Sequence, residues 1–364
     1  MEWFGRAKLN FTHSATPVSL KCKDGTATDI VSLVKETTPP CHLNPLLFNG
    51  HMQTFWTATK QHGPSIYYRR KIFESDNPSV EGTFAVDFID EPFEETDPDL
   101  PPGRKPMLVI LHGLSGGSHE IYLRHAIAPL VESGDWEACV VNSRGCAMSP
   151  ITTGVLYNAR ATWDIRQTVK WLQEKYPNRA LFGLGFSLGA NILTNYCGEE
   201  GADCVLKAAV ICSNPFNLEV SNKALQRSIL GKEVYQRVMG SNMKELVKRH
   251  EEAIEKFTVL DLQRLQNVTY LYEFDRAVQC PLWGYPTEDA YYRDASSTDA
   301  ILAIRIPFLA IHATDDPIAV DEAVPYNEFK ANPYTVLTTT SLGGHLCWFE
   351  VGGSRWFSRP VSQA

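Results

Sequence analysis

No stretch of this chain is long and apolar enough to span a bilayer. Its first residues, Met1-Glu2-Trp3-Phe4-Gly5-Arg6, lack the basic-then-apolar order of a secretory signal. Positive charge is in deficit. The 34 Lys and Arg against 42 Asp and Glu leave a net charge of -8, which argues against a nucleic-acid partner and against a basic membrane-surface patch. Paired cysteines are absent too. Nine cysteines, an odd number, are scattered from Cys22 to Cys347 without a Cys-x-x-Cys, and Cys139 and Cys212 lie in apolar, strand-like runs. That is the pattern of buried thiols in a reducing compartment, so a cytoplasmic protein is expected. Asn10-Phe11-Thr12 and Asn267-Val268-Thr269 match the glycosylation pattern, but without a secretory signal they carry little weight. There is no nicotinamide, flavin or metal motif, internal repeat or low-complexity tract, so no cofactor and no metal are expected. What is present is ordinary for a globular protein: 364 residues, 44% hydrophobic and 21% charged, enough for one large α/β domain.

One stretch organises the rest. Leu181-Phe182-Gly183-Leu184 is a short apolar run; Gly185-Phe186-Ser187-Leu188-Gly189 follows, and Ala190-Asn191-Ile192-Leu193 begins a helix-forming sequence. Strand, sharp Gly-x-Ser-x-Gly turn and helix make a nucleophile elbow, which holds a serine hydroxyl exposed. Both glycines are needed because strand and helix backbones pass close beside the serine and leave no room for a Cβ. Ser187 is therefore the candidate nucleophile.

Around it the chain alternates. Residues 1–43 read as an irregular lead-in, closed by Thr37-Thr38-Pro39-Pro40, and His42 and His51 beyond it read as packing or capping residues. Ile66 to Phe73 and Thr83 to Asp90 predict two antiparallel strands, and the acidic, proline-rich Glu91 to Pro106 a surface loop. Met107 to Leu111, Ala138 to Val141, Lys207 to Cys212, Ile306 to His312 and Thr335 to Thr338 predict further strands, with helices after the first two. From Asn214 to Ser297 the alternation stops and the sequence turns helical and charged. The expected architecture is α/β: a mostly parallel, doubly wound sheet flanked by helices. Residues 44–213 form its first part, 214–297 a helical lid insertion and 298–364 its second part.

A serine hydroxyl needs a base to take its proton and an acid to orient that base. In folds with this elbow the chain order is Ser, acid, His. His345, in Leu342-Gly343-Gly344-His345, is the one histidine after the late acidic loop and is the candidate base. The acid comes from Thr314-Asp315-Asp316-Pro317; the frame Asp316-Pro317-Ile318-Ala319-Val320 favours Asp316 and leaves Asp315 to structure the loop. The backbone N–H groups of Leu114, in the His112-Gly113-Leu114-Ser115-Gly116-Gly117 loop, and of Leu188 are the candidate oxyanion donors. His112 reads as structural.

These residues resemble the α/β-hydrolase family that includes fungal medium-chain fatty-acid ethyl ester synthase/esterases and animal hydrolase-domain phospholipases. The resemblance rests on Asn44-Pro45, Gly50-His51-Met52-Gln53-Thr54, the His112 to Gly117 loop, Asn142-Ser143-Arg144-Gly145-Cys146 and Gly185 to Asn191. It continues through Phe274-Asp275, Tyr291 to Ser297, Asp315-Asp316-Pro317 and Gly343-Gly344-His345-Leu346. It implies an α/β-hydrolase fold with Ser187, Asp316 and His345 as its triad. It also implies acyl transfer among esters, thioesters, alcohols and water. Ala147 and Cys347 stand where the family tends to have glycine, and are expected to reshape the pocket. No counterpart of the animal relatives' amino-terminal anchor is visible.

The expected function is serine-dependent acyl transfer through an acyl-serine: esterase, O-acyltransferase or both. The acyl donor is an ester or thioester, acyl-coenzyme A included, and the acceptor an alcohol or water. Two other classes are weighed: C–C bond or cyclisation chemistry with the triad as acid and base, and a non-catalytic binding protein on a hydrolase scaffold. A retained serine counts against the first and a full set of three against the second. Within the insertion, Ile229, Leu230, Val234 and Val238 recur at spacings that predict one apolar helical face lining an acyl cavity.

Overall fold

The computed structural model describes residues 5–21, 25–59, 62–89, 105–258, 260 and 265–363. Of the acidic segment expected as a loop, Glu91 to Pro106, residues 91–104 lie outside the described residues. Each run expected as a strand becomes one, and three further strands form in the lead-in. In chain order the strands are β1 (Leu9–His13), β2 (Ser19–Lys21), β3 (Ala27–Asp29), β4 (Tyr68–Glu74), β5 (Thr83–Ile89) and β6 (Met107–Leu111). β7 (Glu137–Asn142), β8 (Leu181–Phe186), β9 (Ala209–Cys212), β10 (Phe308–Ala313) and β11 (Thr335–Thr340) follow. Nine of them form one sheet in the order β1-β11-β10-β9-β8-β6-β7-β5-β4, and β2 pairs with β3 in a separate hairpin. From β7 through β6, β8, β9 and β10 to β11 every pairing is parallel. β5, β4 and β1 are antiparallel to their neighbours.

The central strands are apolar throughout because both sheet faces are covered. On β6, Met107, Val109 and Leu111 join the core that packs α4 (Trp163–Lys175) and α5 (Leu188–Glu200). The alternate residues Leu108 and Ile110 join the opposite core with α1 (Ile30–Thr37) and α3 (Ile121–Glu132). Residues of a strand alternate between faces, and fully burying one Leu, Ile or Val side chain contributes ~1.5–3 kcal/mol. A polar residue at any of these positions forfeits that contribution. The described cysteines are all free thiols, and those at Cys139 and Cys212 are buried in strands.

The lead-in is not irregular, and here the sequence reading is corrected. β1 forms the sheet's edge, running Leu9↔Thr340 to His13↔Val336 against β11. Asp29 caps α1, its carboxylate accepting from the Val31 and Ser32 amides at 2.9 Å each. Five residues with a strand partner more than 300 positions away carry no local signal that outweighs the surrounding polar sequence. α2 (Gly50–Thr59) likewise occupies the turn-rich stretch.

Between β9 and β10 the described residues contain helices and no strand. Among them are α6 (Leu218–Arg227), α7 (Arg237–Arg249) and α8 (Glu251–Phe257), and two widened π-helical turns at Gly231–Gln236 and Asp275–Gln279. Because β6, β8 and β10 run parallel, the loops after them emerge at one edge of the sheet, where open α/β sheets place their sites.

Candidate active site

Ser187 joins β8 to α5 with φ 51° and ψ -118°. An L-residue held there costs on the order of 1–3 kcal/mol, which the surrounding packing must over-determine. The packing is tight enough to do so. A Cβ at Gly185 would lie 2.7 Å from Ala190 Cα, and one at Gly189 would lie 2.4 Å from the carbonyl oxygens of Leu111 and His112. The Ser187 amide donates to Cys212 O at 2.9 Å, tying the turn to β9.

The three sequence-predicted residues meet. His345 Nε2 lies 2.8 Å from Ser187 Oγ, and Nδ1 lies 2.8 Å and 3.1 Å from the two carboxylate oxygens of Asp316. Asp316 Oδ1 also accepts from the amides of Ile318 at 2.8 Å and Ala319 at 2.9 Å. Burial opposes its ionisation, but His345, His312 and the Ile318 amide outweigh burial and hold its pKa below the usual carboxylate value. Asp315 points elsewhere. Its Oδ1 accepts from the Gly344 amide at 3.0 Å, and burial pushes its pKa up to about 6.

Leu114 and Leu188 line the cavity that Ser187 lines. Leu188 is the first residue of α5, so its amide is one of the orphan donors of a helix N-terminus. The loop around Leu114 is pinned on both sides by tyrosine hydroxyls. Tyr122 accepts from the Gly113 amide at 2.8 Å and Tyr157 from the Ser115 amide at 3.0 Å. His112 is buried, and burial lowers its pKa to about 4. Its Nδ1–H donates to Gly113 O at 2.7 Å and its Nε2 accepts from the Ser143 amide at 3.0 Å, so a neutral ring braces the loop.

Sequence reasoning missed the part α2 takes. Gly50 sits so close to the acid loop that a Cβ would stand 1.8 Å from Asp315 O, and a Cβ at Gly344 would stand 2.6 Å from Gly50 O. Thr54 Oγ1 accepts from the His345 amide at 3.1 Å, and Gln53 Oε1 accepts from the Phe349 amide at 2.8 Å. His51 pairs with Tyr235 of the inserted segment, Nδ1 to hydroxyl 2.8 Å. The Gly50 to Thr54 block thus braces the histidine loop; the signal was the block's specificity, which spacing alone could not interpret. Arg144 of the Arg-Gly-Cys block is buried and doubly bonded to Asp164 at 2.8 Å and 3.0 Å, a structural pairing. Ala147 and Cys347 are not among the cavity-lining residues. Cys347 is buried, its thiol donating to His345 O at 2.8 Å.

The apolar face expected of the insertion is also corrected. Ile229 is 82% exposed and Val238 54%, and none of Ile229, Leu230, Val234 and Val238 lines the cavity. The spacing argument assumed one continuous α-helix. The π turn at Gly231–Gln236 instead shifts the phase, so that Tyr235, Gln236, Gly240 and Met243 are buried. The cavity is lined from the insertion by Leu218, Leu225, Met239, Met243 and Leu271.

Residues 106–346 match the family described as the alpha/beta hydrolase fold. This chain is an α/β hydrolase. Among its relatives is a monoacylglycerol lipase of Saccharomyces cerevisiae, 38% identical, the match covering 87% of this chain and 78% of that protein. The medium-chain fatty acid ethyl ester synthase/esterase 2 of the same yeast is 35% identical over 71% of this chain and 61% of its own length. Phospholipase ABHD3 of Mus musculus is 28% identical over 79% of this chain and 68% of its own length. Among the described residues of this hydrolase, no helix is long and apolar enough to cross a membrane, and no cluster of His, Cys, Asp and Glu is placed to hold a metal ion.

Proposed function

We propose that this α/β hydrolase cleaves carboxylic esters of lipids through an acyl-serine intermediate. The observation that carries the reading is the unbroken chain Ser187–His345–Asp316, all three contacts at hydrogen-bond distance, opening on a largely apolar cavity. His345 Nε2 takes the Ser187 proton as Oγ attacks the acyl carbonyl. The Leu114 and Leu188 amides hold the oxyanion, each such donor worth about 3 kcal/mol of barrier. Collapse expels the alcohol, which leaves with the proton from His345, and a water activated by the same imidazole releases the acid. The names of the relatives, lipase, esterase and phospholipase, support a lipid ester as substrate. The test is to incubate the protein with glyceryl and ethyl esters and acyl thioesters of graded chain length and identify products by mass. Free acid is expected from the esters; no product from any of them overturns the reading.

Transfer to an alcohol is a second outcome of the same acyl-serine, and the apolar lining contributed by residues 214–297 favours it. A closed cap over the acyl-serine excludes water and leaves a bound alcohol as acceptor. Met239→Asp, which introduces a charge on the cavity wall, is expected to raise the ratio of hydrolysis to ethanolysis severalfold while Ser187 still labels with a fluorophosphonate. Both products are measured from one acyl donor in one tube. An unchanged ratio removes the cap from acceptor choice.

A further inference from the structure

The polarity of α2 is reversed. A surface helix ordinarily buries an apolar stripe and shows polar side chains to water. Here Gly50, Gln53, Thr54 and Thr57, three and four residues apart, face the protein. Gln53 is buried and takes the Phe349 amide, Thr54 takes the His345 amide, and Thr57 Oγ1 lies 3.0 Å from Cys347 Sγ. The intervening positions Met52, Phe55 and Trp56 are exposed. In the turn before the helix, Leu46 is 78% and Phe48 60% exposed.

Folding gains nothing from large apolar side chains held in water, and a cluster of them marks a surface that something covers. Its place in the fold is specific. The inner side of α2 holds the histidine loop, and Phe55 stacks on Tyr235 of the inserted segment with ring centroids 5.9 Å apart. That segment carries exposed apolar residues of its own, Ile229, Leu230 and Val238. Charge decides what the cover is. From Cys41 to Thr59 there is no Asp, Glu, Lys or Arg, in a chain that is 21% charged, and Glu233 and Arg237 beside Tyr235 pair with each other at 2.8 Å. A protein partner is set in register by charged and polar groups around an apolar centre. This segment offers no such charges, and a fluid apolar surface asks for none. A chain of net charge -8 gains nothing from an anionic surface, so the surface is neutral overall. Trp and other aromatic side chains are those that settle at a bilayer's boundary with water.

We propose that the outer face of α2, together with Leu46 and Phe48, docks on a neutral phospholipid bilayer and so holds the histidine loop and the inserted segment at the lipid boundary. The use of such docking rests on the lipid-ester reading, since an apolar ester is then taken from the bilayer and need not cross water. The docking itself rests on the reversed helix and its lack of charge.

The binding test needs no turnover. Ser187→Ala protein is sedimented with sucrose-loaded phosphatidylcholine vesicles and is expected to partition to them, with no gain when phosphatidylserine is added. Leu46→Ser with Phe48→Ser in that background should lower the partition coefficient about tenfold, because two exposed apolar side chains no longer enter the lipid. Ile72→Ser, an exposed position on β4 at the sheet edge remote from β11, should leave it unchanged. No sedimentation with either vesicle, binding only with phosphatidylserine, or equal losses in the two variants overturns the proposal. A dimer in sedimentation velocity that the double variant dissociates assigns the face to a second copy of the chain and overturns it as well. With Ser187 present, the double variant should melt and label with a fluorophosphonate as wild type does. It is expected to hydrolyse ethyl decanoate held in the vesicles about tenfold more slowly and dissolved ethyl acetate at the wild-type rate. Absence of product from both esters in wild-type protein overturns the ester reading, and the sedimentation result then decides the docking by itself.

Discussion

Ser187→Ala is expected to abolish both fluorophosphonate labelling and ester turnover, with a loss in kcat on the order of 10⁶, the size seen when a triad serine is removed from a serine protease. Residual rate would come only from oxyanion donors and substrate positioning, worth ~10³–10⁴ over water. The fold should be unaffected. Alanine keeps the Cβ, and the Ser187 amide still donates to Cys212 O. The strained backbone at φ 51° is imposed by the two flanking glycines and not by the hydroxyl. A thermal melt matching wild type, together with lost labelling, separates chemistry from folding. Normal turnover in this variant would rule out an acyl-serine and move the reaction to acid/base chemistry by His345.

Asp316→Asn should cost about 10⁴ in kcat, because an amide in place of the carboxylate leaves the imidazole in the wrong tautomer to accept the serine proton. The loss should be larger here than a surface pair could cause, since Asp316 is fully buried and also anchors the Ile318 and Ala319 amides. Asp315→Asn should cost activity far less, as Asp315 bonds Gly344 and not the imidazole. Its effect should appear in stability against pH. Burial raises the Asp315 pKa from 3.8 to about 6, so between these values the folded state binds more protons than the unfolded one. Stability from this group is therefore complete below about pH 3.8 and is lost as pH rises through about 6. Asn cannot ionise, so the fall in Tm between pH 4 and pH 7 should be smaller in Asp315→Asn than in wild type. Equal kcat losses in the two variants, or the reverse order, would exchange their roles.

Much of this was legible in the chain because it is local. The elbow is thirteen consecutive residues, Leu181 to Leu193, whose strand, turn and helix are each dictated by apolar run, glycines and helix-formers. The central parallel strands announce themselves by being apolar on both faces. The order serine, aspartate, histidine follows from the order of the loops after β8, β10 and β11.

What the sequence left open depends on partners far apart in the chain. The local frame favours Asp316 over the adjacent Asp315, but the contacts themselves come from the Gly343 to His345 loop, about thirty residues away, which sets one carboxylate against the imidazole and the other against an amide. β1 becomes a strand because β11 offers it an open edge. α2 matters because its first turn, at Gly50, can touch the acid loop without a side chain in between. The cap's inward face was misread because one π turn changes helical phase, a shift invisible to a spacing count that assumes 3.6 residues per turn. Local sequence determines which elements form and where the elbow serine stands. Tertiary packing decides which carboxylate faces the imidazole and which side chains line the cavity, because those choices turn on distances between elements and not on any element's own composition.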